Sequence, residues 1–103
     1  MTTIIDTNAL IYAAKKKQDL DRKIFGPILI PNLVHAELEK LSKTAKKGAD
    51  KAAAKLAMQI IDHKKWKIVN LEKGHTDTRI KEYAKEHGFA VLTFDKELKR
   101  SLR

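Results

Sequence analysis

Thr2-Thr3-Ile4-Ile5-Asp6-Thr7-Asn8-Ala9-Leu10 is the stretch on which the fold turns. A run of β-branched residues, Thr2 to Ile5, stops at a carboxylate, and an apolar helical pattern starts at once with Leu10, Ile11 and Ala14. The change of period predicts a buried strand, a turn holding Asp6, and a helix. In an open α/β sheet, ligands bind at the carboxyl ends of the strands. One aspartate there is also an ordinary helix cap. What matters is whether other carboxylates share its address.

Outward from that stretch the same alternation recurs. Leu20, Ile24 and Phe25 predict a short second helix capped by Asp19 and stopped by Gly26-Pro27. Ile28-Leu29-Ile30 reads as a very short buried strand closed by Pro31, with Asn32 the candidate cap of a helix from about Leu33 to Ser42. Residues 43–51 form a basic connection with a helix break at Gly48. A long helix follows, with Ala53, Leu56, Ala57, Ile60 and Ile61 on one face and His63, Lys64 and Lys65 near its end, where cations suit the dipole. Trp66 to Leu71 predicts a third strand, with Trp66 a lid over the edge of the core. Asp77 opens a helix whose stripe is Ile80, Tyr83, Ala84 and His87, and Gly88 stops it. Phe89 to Phe94 is a fourth strand ending at Asp95, which starts a last helix with Leu98 and Leu102 inward. Strands alternating with helices predict an α/β domain with a parallel sheet of about four strands flanked by helices.

The 103 residues suit a single domain over 1–103. Hydrophobic content of 43% and charged content of 34% fit a folded, soluble chain. There is no apolar run of membrane-spanning length and no signal peptide before the first strand, so the expected compartment is the cytoplasm, away from membranes. The absence of cysteine excludes disulfides, thiolate catalysis and cysteine-held metals. Lys plus Arg number 22 against 13 acidic residues, a net charge of +9. That balance suits a polyanionic partner such as nucleic acid, and equally a solvated lysine surface on a heat-adapted protein. Of the cations 18 are lysine and four are arginine, which favours phosphate attraction over base reading.

Four carboxylates stand out. Asp6 and Asp95 each follow directly on a buried strand, and Asp77 sits at a helix N-terminus. Glu37 lies three residues after Val34 in a helix whose apolar stripe is Val34, Leu38 and Leu41, so it falls on the inward face. A carboxylate there is costly unless it is paired, binds a cation or reaches water at the stripe's edge. Four of them at one sheet rim would repel unless a cation neutralised them. Mg²⁺ and Mn²⁺ take such oxygen ligands. One or two such ions can activate water and stabilise the leaving oxygen in phosphodiester hydrolysis.

Ile4-Ile5-Asp6-Thr7-Asn8-Ala9-Leu10, Ile30-Pro31-Asn32-Leu33-Val34-His35-Ala36-Glu37-Leu38, Asp77-Thr78-Arg79-Ile80 and Leu92-Thr93-Phe94-Asp95-Lys96-Glu97-Leu98 resemble, in order and spacing, the signature segments of PIN-domain ribonucleases. The resemblance covers essentially the whole chain and is nearest to small archaeal or bacterial members, among them VapC-type toxins and PIN domains similar to ribosomal RNA processing factors. It implies a parallel sheet flanked by helices, Mg²⁺- or Mn²⁺-dependent endonucleolytic cutting of RNA, and metal ligation by Asp6, Glu37, Asp77 and Asp95. By the same match Asn8 and Thr93 are polar supports, Asn8 orienting Asp6 or the phosphate and Thr93 holding the rim. For a toxin, it implies an antitoxin protein that plugs the acidic pocket with a basic side chain.

Two departures stand out. The family usually continues into a fifth strand, whereas this sequence ends at Arg103, which predicts an open sheet edge that invites a homodimer. The position after Asp77, often acidic in relatives, is Thr78 here, which weakens the case for a second ion. Of the histidines, His35 is expected at the surface, His63 and His87 at helix ends, and His75 in a loop near Asp77 and within reach of a phosphate. The competing expectations are a catalytically silent RNA-binding or protein-interaction PIN module and a plain α/β domain whose four acids are unrelated caps.

Overall fold

A computed structural model describes residues 1–93 of the chain. The order is β1 (Thr3–Ile5), α1 (Thr7–Lys15), α2 (Leu20–Lys23), β2 (Ile28–Pro31), α3 (Asn32–Thr44), α4 (Gly48–Lys64), β3 (Lys67–Val69), α5 (Thr76–His87) and β4 (Ala90–Leu92). The predicted last helix, with Asp95, Leu98 and Leu102, lies outside the described residues.

The four strands form one sheet in the order β3-β2-β1-β4. Every pairing is parallel, with Thr3 opposite both Ile28 and Ala90, and Ile30 opposite Ile68. Parallel strands covered on both faces need apolar residues in succession. Accordingly Ile4, Ile5 and Ile30 are fully buried. The chain steps outward from β1 to β2 to β3 and then places β4 on the other side of β1. The order therefore reverses beside β1, and such a switch point opens a crevice at the strands' carboxyl ends. That is where Asp6 stands.

Helices α1, α3 and α4 pack on one another, and α5 lies against β4. Val34, Leu38 and Ser42 are the buried face of α3, with Leu41 and Glu37 at its half-buried margin. Ala53, Ala54, Ala57 and Ile61 are that of α4. Leu56, expected inward, is exposed on an apolar groove of about 240 Å³ that it lines with Leu10, Leu20, Ile60 and Trp66.

Several boundaries differ from expectation for local reasons. Helix α3 begins at Asn32, with Pro31 at φ −63° as its N-cap and no side-chain cap bond. The Asn32 amide is spent elsewhere: Oδ1 accepts from the Leu71 amide at 2.7 Å and Nδ2 donates to the Leu71 carbonyl at 3.4 Å. Gly48 does not break a helix but begins α4. In a first turn its backbone freedom costs less than in a helix interior, and the alanine-rich stretch behind it carries the helix. Strand β3 is shorter than Trp66–Leu71; Trp66 precedes it, half-buried. Phe25 is 87% exposed because α2 ends at Lys23 and leaves it in the turn. His35 is half-buried rather than on the surface, beside Ile61, Trp66 and Ile68.

Candidate active site

Asp6 leaves β1 with its amide donating to the Leu92 carbonyl of β4 at 3.2 Å, so β1 and its neighbour β4 fix its backbone. Its side chain is 3% exposed and accepts through both oxygens. Oδ1 takes the Ala9 amide at 2.8 Å, the N-cap of α1, and Oδ2 takes the hydroxyl of Thr93. Thr93, at the end of β4, is itself buried at 1% exposure. Thr93, expected at the rim, therefore contacts the carboxylate directly. A negative charge at a helix N-terminus is also favoured by the helix dipole.

Glu37 is half-buried on α3, and hydroxyls hold both of its oxygens. Thr7, the first residue of α1, donates to Oε2 at 2.7 Å, and Thr76, the first residue of α5, donates to Oε1. The inward Glu that the helical period singled out is therefore hydrogen-bonded at the meeting of three helices. Asp77 stands in the first turn of α5, next to Thr76. The helix opens one residue before Asp77, with His75 as an N-cap that makes no side-chain cap bond.

These residues surround an open cleft of about 420 Å³ lined by Asn8, Glu37, Gly74, His75, Thr76 and Asp77. Asn8 is exposed on it, one residue from Thr7. The structure thus brings together Glu37, Asp77 and Asn8. Asp6 is tied in behind them, through its neighbour Thr7 on one side and Thr93 on the other. Asp95 lies outside the described residues. Gly74 follows the loop from β3 at φ +150°, and a Cβ there would stand 2.7 Å from the Arg79 Nε. Arg79 Nε donates to the Lys73 carbonyl at 3.2 Å, so the loop is pinned against α5.

Thr76 was not legible as part of the site, and Thr7 only as a residue of the Asp6 segment, with no partner to assign to it. A signal did exist: each is a hydroxyl beside an acidic residue at a predicted helix start. Their common partner, 30 and 39 residues away in sequence, was not visible in that spacing.

The donor chemistry suits a hard cation, since Asp6, Glu37 and Asp77 offer only carboxylate oxygens and the chain holds no thiolate. Among the described residues, no three of His, Cys, Asp and Glu form a group able to hold a metal ion by themselves. No described helix is long and apolar enough to cross a membrane.

Known proteins are similar to this chain in sequence. Ribonuclease VapC9 of Archaeoglobus fulgidus is 34% identical over 104 positions, covering 97% of this chain and 74% of that protein. Ribonuclease VapC4 of Methanocaldococcus jannaschii is 39% identical over 105 positions, covering 94% of this chain and 79% of that protein. The PIN like domain family matches residues 3–103, a span running from β1 through every element that lines the cleft. On that match, the chain belongs to the PIN-like domain family.

Proposed function

We propose that this protein is a Mg²⁺- or Mn²⁺-dependent endoribonuclease, the toxin of a toxin–antitoxin pair or an RNA-processing factor, with Asp6, Glu37, Asp77 and Asp95 as its ligating acids. The observation that carries the reading is the meeting of Glu37 and Asp77 in one cleft at the sheet's switch point, with Asp6 tied in behind them. The names of the two relatives support the reaction class. The resemblance of Leu92-Thr93-Phe94-Asp95-Lys96-Glu97-Leu98 to a signature segment of the family supports Asp95 as the fourth ligand.

A divalent ion held by these oxygens would polarise the phosphate and activate water for in-line attack. The chain's own groups do the rest. Asp6 is held in one rotamer by the Ala9 amide and the Thr93 hydroxyl, so its position is set before substrate arrives. Asn8, exposed on the cleft, can donate its amide to a phosphate oxygen. The +9 charge draws the RNA strand in. The partners in this reading are RNA, an antitoxin that covers the cleft, and a second copy of the chain in a homodimer, in the cytoplasm.

The test is cleavage of labelled single-stranded and structured RNA with Mg²⁺, Mn²⁺ or EDTA, with Asp6→Asn and Asp95→Asn beside the wild type. Metal-dependent cutting that both substitutions abolish is expected. Cutting that survives both would come from a contaminant and remove the site assignment.

A further inference from the structure

We propose that Thr76 is a positioning residue for Glu37, bolting α5 to α3 so that Glu37 and Asp77 face the cleft in a fixed relation; this rests on the metal-site reading above. Glu37 is a long side chain with three torsions, and at a half-buried helix margin several rotamers are open to it. Two hydroxyls from two other helices remove that freedom. Thr7 fixes Oε2 from α1, and Thr76 fixes Oε1 from α5. Thr76 precedes Asp77 directly, so the bond that orients one acid also sets where the next acid's backbone stands.

The bolt is itself braced. Asn32 of α3 grips both backbone groups of Leu71, and Arg79 of α5 grips the Lys73 carbonyl, so the loop leading to Thr76 is tied at two points. Gly74 makes the second tie possible, because its missing side chain lets the guanidinium of Arg79 lie against the backbone. The loop therefore delivers Thr76 to Glu37 from a fixed direction. Groups that orient a ligating side chain typically change metal affinity or activity by about 10–100-fold when removed.

The experiment measures Mn²⁺ binding by titration calorimetry on wild type, Thr76→Val and Thr76→Ser, with metal-free melting temperatures alongside. Valine keeps the shape and removes the hydroxyl; serine keeps the hydroxyl. Expected is binding weakened about 10–100-fold in Thr76→Val, near-wild-type binding in Thr76→Ser, and closely similar metal-free melting temperatures. Equal binding in wild type and Thr76→Val would overturn the role of Thr76 and leave the metal site standing. Equal weakening in both variants would mark lost packing rather than a lost hydroxyl and overturn it as well. No uptake by the wild type would overturn the metal-site reading, and this proposal with it.

Discussion

Asp6 has two oxygens and a task for each. Oδ1 caps α1 through the Ala9 amide, and Oδ2 accepts the buried Thr93 hydroxyl. Removing the carboxylate by Asp6→Ala loses the cap, worth about 1 kcal/mol, and the charge-assisted bond from the Thr93 hydroxyl, worth roughly another 1.5–3 kcal/mol. Asp6→Asn keeps an acceptor for the Ala9 amide and a polar group facing Thr93. In thermal melts, Asp6→Ala should therefore fall by at least roughly 8 °C, while Asp6→Asn stays within a few degrees of wild type and only cleavage is lost. A melt in which Asn is as damaging as Ala would show that the charge itself, not the hydrogen-bond geometry, holds the strand end. This residue was readable in the sequence because a strand period stops at it and a helix period begins. Glu37 was readable because it breaks an apolar stripe. The threonine hydroxyls that hold Glu37 were not, because their partner is set by helix packing rather than by any local period.

Between elements, the short helix α2 is tied to the end of α4. Lys64 Nζ stands 2.7 Å from Asp21 Oδ2 and 3.8 Å from Asp19 Oδ1, and the Trp66 indole donates to Asp21 Oδ1 at 3.3 Å. The hydrogen bond from Lys64 holds the Asp21 carboxyl below its ordinary 3.8, against the opposing effect of desolvation, with Lys64's charge and the indole adding to the lowering. The same hydrogen bond lifts Lys64 above its ordinary 10.5. A depressed carboxylate stabilises the fold above pH 3.8 and loses that contribution as pH falls through its folded value. A raised lysine stabilises it below pH 10.5 and loses that contribution as pH rises through its folded value. Lys64→Gln should thus lower the urea midpoint slightly near neutral pH, by less in high salt because the pair is exposed. The gap from wild type should narrow in acid, well below pH 3.8. A gap of unchanged size there would mean that the lysine acts by packing its stem. This tie, which makes Trp66 an anchor for α2 as well as a cover for the core edge, was hidden from sequence. So was the start of α4 at Gly48, since glycine marks both breaks and helix ends and only the packed alanines behind it decide between them. The two inner strands, β1 and β2, were legible because a buried parallel strand cannot avoid an apolar run.

For the molecule as a whole, the reversal of strand order beside β1 opens the cleft at the carboxyl ends of the strands, and the chain carries a net charge of +9. Eighteen of the 22 cations are lysine. Both described arginines are engaged, Arg79 with Glu82 at 3.2 Å and the Lys73 carbonyl, and Arg22 with Asp19 at 3.9 Å. Lysine contacts phosphate as a point charge and reads bases poorly, so binding through this surface should be strong in low salt and tolerant of sequence. The measurement is the affinity of Asp6→Asn, which binds without cutting in the proposed reading, for labelled single-stranded RNAs of equal length and different sequence across a salt series. Each phosphate neutralised on a single strand contributes about −0.7 to the slope of log K against log salt. A slope of about −3, corresponding to roughly four phosphates, with similar affinities across sequences, is expected. A flat salt dependence would assign the lysines to solubility alone. A steep slope with strong preference for one sequence would place base recognition in the cleft itself, where Asn8 and His75 are the exposed polar side chains able to supply it.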